Sequence, residues 1–162
     1  MVKIETLLKE RKVSRISELE LERYINFFTN SYKNNLEHSK FVLEKFPRWS
    51  IISGYYTMHD IAKLFLAKEF RLKIDYEVHA TTIKVLRELI KNKEILKLIE
   101  KGYEEFITLA NDLAEAKKDR VKVQYYTGTD YMEQEYKKRA KEFLIKIVEP
   151  FLLKMKELIE KW

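Results

Sequence analysis

From Leu21 to Phe46 nothing interrupts a helical repeat: Leu21, Tyr24, Ile25, Phe28, Tyr32, Leu36, Ser39, Val42, Leu43 and Phe46 recur at the spacing of one helix face. A helix this long persists in water only if that face is buried against other helices. Ser17 followed by Glu20 is a capping-box pattern at its start, and Pro47 stops it, because proline disfavours helical geometry in Phe46 and brings no backbone donor. The rest of the chain obeys the same constraint. With 3 Gly and 2 Pro in 162 residues there is almost no punctuation for strands and tight turns. The expectation is an all-α fold, an antiparallel up-and-down helical bundle of four principal helices with additional short helices. One domain is expected over residues 1–162, with its core at about 20–148.

The other elements follow from periodicity. Val2 to Lys12, with Ile4, Leu7 and Leu8, is an accessory helix that must pack on something larger. A second long helix runs from about Trp49 to Phe70, where Gly54 permits a close helix crossing. Asp75 caps a helix holding Val78, Thr82, Ile83, Leu86 and Ile90, and Asn92 and Lys93 close it. A lysine-rich helix, Glu94 to Lys101, ends near Gly102, and Tyr103 to Tyr126 form the next long element. Thr127-Gly128-Thr129 is a turn, and Asp130 with Glu133 opens a final helix that Pro150 kinks.

Composition excludes several classes of function. Without Cys there is neither a disulfide framework nor a thiolate metal site, and the three His are too far apart in sequence for a zinc motif, so no metal and no cofactor are expected. No signal-peptide pattern opens the chain, and no apolar run approaches the roughly 20 residues that span a bilayer. A soluble, cytoplasmic protein is the expectation. The net charge of +6 favours anionic partners weakly, since 32 cations are offset by 26 acids along the same helices.

Function is expected to reside between Asp112 and Asp130. Arg120 and Gln124, four residues apart, are side-by-side neighbours on a helix, and Gly128 stops that helix. With Lys117, Lys118, Lys122, Tyr125 and Tyr126 close in sequence, this stretch offers a grip on phosphate. A solvated helix end explains the same residues, because cations also suit the C-terminal dipole. Asp112, Glu115 and Asp119 follow the spacing of an ordinary charged face rather than a metal cluster.

Three segments, in this order, resemble the HEPN domain family, helical bundles named for higher eukaryotes and prokaryotes nucleotide-binding. Ser53-Gly54-Tyr55-Tyr56-Thr57-Met58-His59-Asp60-Ile61-Ala62, with Leu66-Ala67-Lys68-Glu69, is similar to the family's second bundle helix. His79-Ala80-Thr81-Thr82-Ile83 is similar to the opening of its third helix, and Arg120-Val121-Lys122-Val123-Gln124-Tyr125 to its motif of Arg, four variable residues, and His or Tyr. The resemblance implies a homodimer and, in active members, a metal-independent ribonuclease in which Arg and His meet across the dimer. On that model Arg120 and Tyr125 are the catalytic candidates. Tyr125 stands at the His position, and free tyrosine, with a pKa near about 10, is a poor general base. In the most similar branch Arg-x-x-x-Asp-Tyr is usual, with Gln124 here in place of Asp. Members of that branch are commonly encoded beside a small nucleotidyltransferase, often in toxin–antitoxin-like systems, and such an enzyme is the implied partner.

The resemblance therefore implies a bundle that contacts nucleotide or RNA through Lys117, Lys122, Gln124 and Tyr126, with His79 and Tyr56 as further contacts. An active ribonuclease and a purely structural interaction bundle are the alternatives. Arg120 and Tyr125, five residues apart, are rotated by about 140° on a regular helix and do not share a face. His59 reads as a satisfied core histidine, His38 as solvated, and Tyr55 and Tyr56 as core or interface aromatics with base stacking as the functional alternative.

Overall fold

A computed structural model describes residues 3–119 and 129–160, with side chains at 3–111 and 133–160. Its helices are α1 (Ile4–Lys9), α2 (Glu18–Val42), α3 (Pro47–Phe70), α4 (Val78–Leu89), α5 (Lys93–Asp119), α6 (Thr129–Phe143) and α7 (Glu149–Glu160). The fold is an all-α bundle, and α3 is its axis. It contacts α2, α4, α5, α6 and α7, so its residues are buried on every side rather than along one stripe. That explains why its sequence carries apolar, small and hydroxyl residues in nearly unbroken succession.

Helices α2 and α3 run antiparallel. Their polar ties fix the register: Ser39 Oγ donates to the Ser50 carbonyl (2.8 Å), His38 Nδ1 meets Ser53 Oγ (2.6 Å), and Asp60 accepts from Asn35 and Ser31. Gly54 lies where α3 is approached most closely. A Cβ there would meet Val148 Cγ2 at 3.1 Å, Phe143 Cε1 at 3.2 Å and Ser39 Oγ at 3.3 Å, which is the close crossing expected from its sequence.

Several expectations need correction. The chain contains an antiparallel two-stranded ribbon, β1 (Val13–Arg15) with β2 (Leu72–Ile74), paired Val13↔Ile74, Ser14↔Lys73 and Arg15↔Leu72. Its buried residues Val13, Leu72 and Ile74 join the core, and it straps α1 to the end of α3. Arg71, left-handed at φ 52°, ends α3 and donates its N–H to the Ala67 and Leu66 carbonyls, a turn made without glycine. Helix α2 ends at Val42 rather than Phe46, and Pro47 occupies the first position of α3, where its missing donor costs nothing.

Asp75 does not cap α4. Glu77 holds the N-cap position at φ 47°, and Thr81 Oγ1 donates to the Tyr76 carbonyl (2.9 Å). Asn92 opens a helix instead of closing one: its Oδ1 accepts from the Glu94 N–H (2.9 Å) and the Ile95 N–H (3.4 Å). Gly102 ends nothing, for α5 is continuous through it. An added Cβ there would lie 2.8 Å from Met58 Sδ, so the glycine admits α5 close to α3. Asp130, expected to cap α6, lies within it. Between α6 and α7 the chain passes through a π-helical turn, Leu144–Val148, where the Glu149 N–H reaches back to the Leu144 carbonyl, and it stays helical across Pro150.

Candidate functional site

Helices α3, α4 and α5 bring two histidines and a group of aromatic rings into one cluster. Tyr55, Tyr56 and His59 come from α3, His79 and Thr82 from the first turns of α4, and Tyr103 and Phe106 from α5. The His59 and His79 rings are 4.7 Å apart, Tyr55 stacks on Phe106 at 4.6 Å, and Tyr56 meets His79 edge-on at 6.0 Å. The depth of these groups is graded. Tyr55 and His59 are sealed in, His79 is half-buried, and Tyr56 keeps 37% of its surface exposed.

Hydrogen bonds engage both rings. The Tyr55 hydroxyl lies 2.9 Å from His79 Nδ1. Burial, with Tyr103 and Tyr56 adding to it, holds that phenol far above its ordinary range, so it stays protonated. Burial, reinforced by the Lys63 charge, lowers the His79 pKa. His79 is therefore a neutral imidazole whose Nδ1 is engaged by Tyr55. Thr82 Oγ1 gives its own hydrogen to the Val78 carbonyl (2.7 Å), so across 3.3 Å it accepts from His59 Nε2. The remaining nitrogen, His59 Nδ1, is then a buried lone pair without a hydrogen-bond partner among the described residues. Burial first, then Lys63 and His79, push the His59 pKa down to about 3, against the pull of the Val78 carbonyl.

At the residue after His59, toward α2, lies a second polar group. Asp60 Oδ2 accepts from Ser31 Oγ (2.6 Å) and Asn35 Nδ2 (2.9 Å), while burial raises its pKa against the effects of Ser31, Lys63 and Asn35. Lys63 sits 5.0 Å above the Phe28 ring, its own pKa lowered by burial although Asp60 opposes this. These groups bind and fix α2 to α3.

The structure brings together His79 and Tyr56. Phe106 packs on the cluster, whereas Asp119, immediately before Arg120, is thirteen residues further along α5, about 20 Å on a regular helix. Arg120, Lys122, Gln124, Tyr125 and Tyr126 lie outside the described residues, and Lys117 belongs to α5 with its side chain outside them. His38 is exposed as expected yet not free, since it is tied to Ser53. Tyr55 as the hydrogen-bond partner of His79, and Thr82, Tyr103 and Phe106 as walls, were not anticipated. A signal existed for part of this: Tyr55 and His59 are one turn apart, as are His79 and Thr82, so two pairs were each set on one helix face. Among the described residues no three His, Asp or Glu side chains form a metal-binding group, and no helix is long and apolar enough to cross a membrane. The chain matches none of the family models, curated proteins or solved structures with which it was compared.

Proposed function

We propose that this chain is a HEPN-like bundle that contacts nucleotide or RNA without cleaving it, as a homodimer working with a small nucleotidyltransferase in a toxin–antitoxin-like pair. The observation that carries the reading is the state of His79. A neutral, half-buried imidazole with Nδ1 occupied by Tyr55 has Nε2 left for a hydrogen bond to a nucleotide, and the exposed Tyr56 ring beside it supplies a surface for base stacking. Arg120, with Lys117, Lys122, Gln124 and Tyr126, would hold phosphate at the far end of α5.

Binding is favoured over catalysis by proton inventory. His59 is held neutral down to about pH 3, the Tyr55 phenol stays protonated, and the family's His position is Tyr125. The test is a titration of labelled single-stranded RNA with the full chain, its His79→Ala variant and its Tyr56→Ala variant. Each variant is expected to weaken binding by about tenfold, the scale of one lost charge-assisted hydrogen bond or one lost stacking contact. Unchanged affinity in both would remove the cluster from the site and leave only the Arg120 region.

A further inference from the structure

Helix α2 packs along its length on α3, which leaves its opposite face open. Arg23, Phe27, Asn30, Asn34, Glu37 and Phe41 are all exposed there and recur at alternating steps of four and three residues, the spacing of a seam on one side of a helix. Glu44, exposed in the turn that follows, continues the series. Phe27 and Phe41 keep 62% and 85% of their surface in water, so a partner that covered them would gain apolar burial. Beside Phe27 the apolar surface extends into a groove of about 420 Å³ lined in part by Ile16, Tyr24 and Phe28.

The seam is complementary to itself when reversed. Phe27 and Phe41 lie seven residues either side of Asn34, Asn30 and Glu37 four and three, and Arg23 and Glu44 eleven and ten. We infer that this face is the interface for a second copy of the chain, with the two α2 helices antiparallel about a two-fold axis near Asn34. Each Phe27 then comes level with the partner's Phe41, each Asn30 amide with the partner's Glu37, and each Arg23 with the partner's Glu44. Glu44 Oε1 is held by Lys141 of its own chain (2.8 Å), which leaves Oε2 for that contact. The two Asn34 side chains meet near the axis, where a polar pair fixes the register at some cost in stability. A parallel pairing in register would instead set arginine on arginine and glutamate on glutamate. The carboxylates of Glu37 and Glu44 also disfavour a nucleic acid on this face, so its occupant is protein. This interface specifies the homodimer of the proposed function; it rests on that part of the reading and not on the RNA contacts.

The experiment is sedimentation equilibrium of the full chain from about 1 to 100 μM, on the parent, Phe41→Ser, Arg23→Glu, Glu44→Arg and an equimolar mixture of the last two. All three positions are exposed, and melting curves confirm that each variant folds. One helix pair makes an interface at the small end of stable ones, so the parent is expected to dimerise with a micromolar dissociation constant. Phe41→Ser is expected to weaken the dimer about tenfold or more, and each charge variant alone to do the same by setting like charges opposite each other. The mixture is expected to regain the parent's association, because the two variants carry opposite charges at both contacts. A parent that stays monomeric at about 100 μM overturns the inference. So does a dimer that none of the three substitutions weakens, or a mixture no tighter than its components. Titrating RNA into the same samples separates the two readings: a dimer that binds no RNA would sink the RNA contact and leave this interface standing, and RNA binding by a monomer would do the reverse.

Discussion

Each histidine of the described chain is tied to a hydroxyl, and that decides what it can do. His59 is the extreme case, because its pKa in the folded chain lies at about 3 against 6.5 for the free side chain. The unfolded chain therefore takes up the proton first. The stability due to neutral His59 is full above about pH 6.5 and is lost as pH falls toward about 3, at no more than about 1.4 kcal/mol per pH unit. His79, also lowered, acts in the same direction, whereas Asp60, with its pKa raised, returns some stability as it protonates. Urea unfolding at pH 7, 5.5 and 4.5 is expected to show a steep loss in the parent and a shallower one in His59→Gln. Equal slopes would mean that the proton is taken up elsewhere. The Tyr55 bond makes its own prediction: ¹⁵N spectra of His79 show one tautomer in the parent and a mixture in Tyr55→Phe, since Tyr55 is the partner of Nδ1 among the described residues.

At the scale of elements, α3 meets its neighbours closely at Gly54 and Gly102, and the side chain of Asn92 starts α5. Asn92→Ala removes the acceptor for two N–H groups of α5 and is expected to cost about 1 kcal/mol in chemical denaturation. Gly54→Ala gains helix propensity but drives a methyl toward Val148, Phe143 and Ser39 together, for a net loss of roughly 1–3 kcal/mol. Gly102→Ala should cost less, because the atoms it meets belong to the flexible side chain of Met58. The long helices were legible in the sequence because the period of their apolar residues is a property of the residues themselves, as from Leu21 to Val42. Their joints were less so. Glycine at position 102 has the same local preferences whether it ends a helix or sits against a methionine, and only the packing of α5 on α3 decides between the two. The β-ribbon was missed for a related reason: Val13-Ser14-Arg15 and Leu72-Lys73-Ile74 are three residues each, too short for an alternating pattern to declare itself, and the whole of α2 and α3 lies between them in sequence. Left-handed Arg71 and Glu77 make turns where glycine or asparagine would have announced them. In the candidate site, the face-sharing of Tyr55 with His59 was readable, while the pairing of Tyr55 with His79 is tertiary and was not.

At the scale of the whole molecule, an axial helix wrapped by five others places the histidine cluster at the junction of α3, α4 and α5 and lets α5 run on to Asp119, just before Arg120. The proposed contact draws on the middle of that helix and on the residues that follow it in sequence. Arg120→Ala is expected to leave the melting temperature unchanged and to weaken RNA binding by about tenfold, the share of one charge-assisted contact. The most direct measurement follows the integrity and the retention of a labelled single-stranded RNA in EDTA, over a concentration series of the full chain and of Arg120→Ala. The account predicts intact RNA throughout, bound by the parent and bound less tightly by the variant. Cleavage by the parent that is absent from the variant, or equal retention by the two proteins, would contradict it.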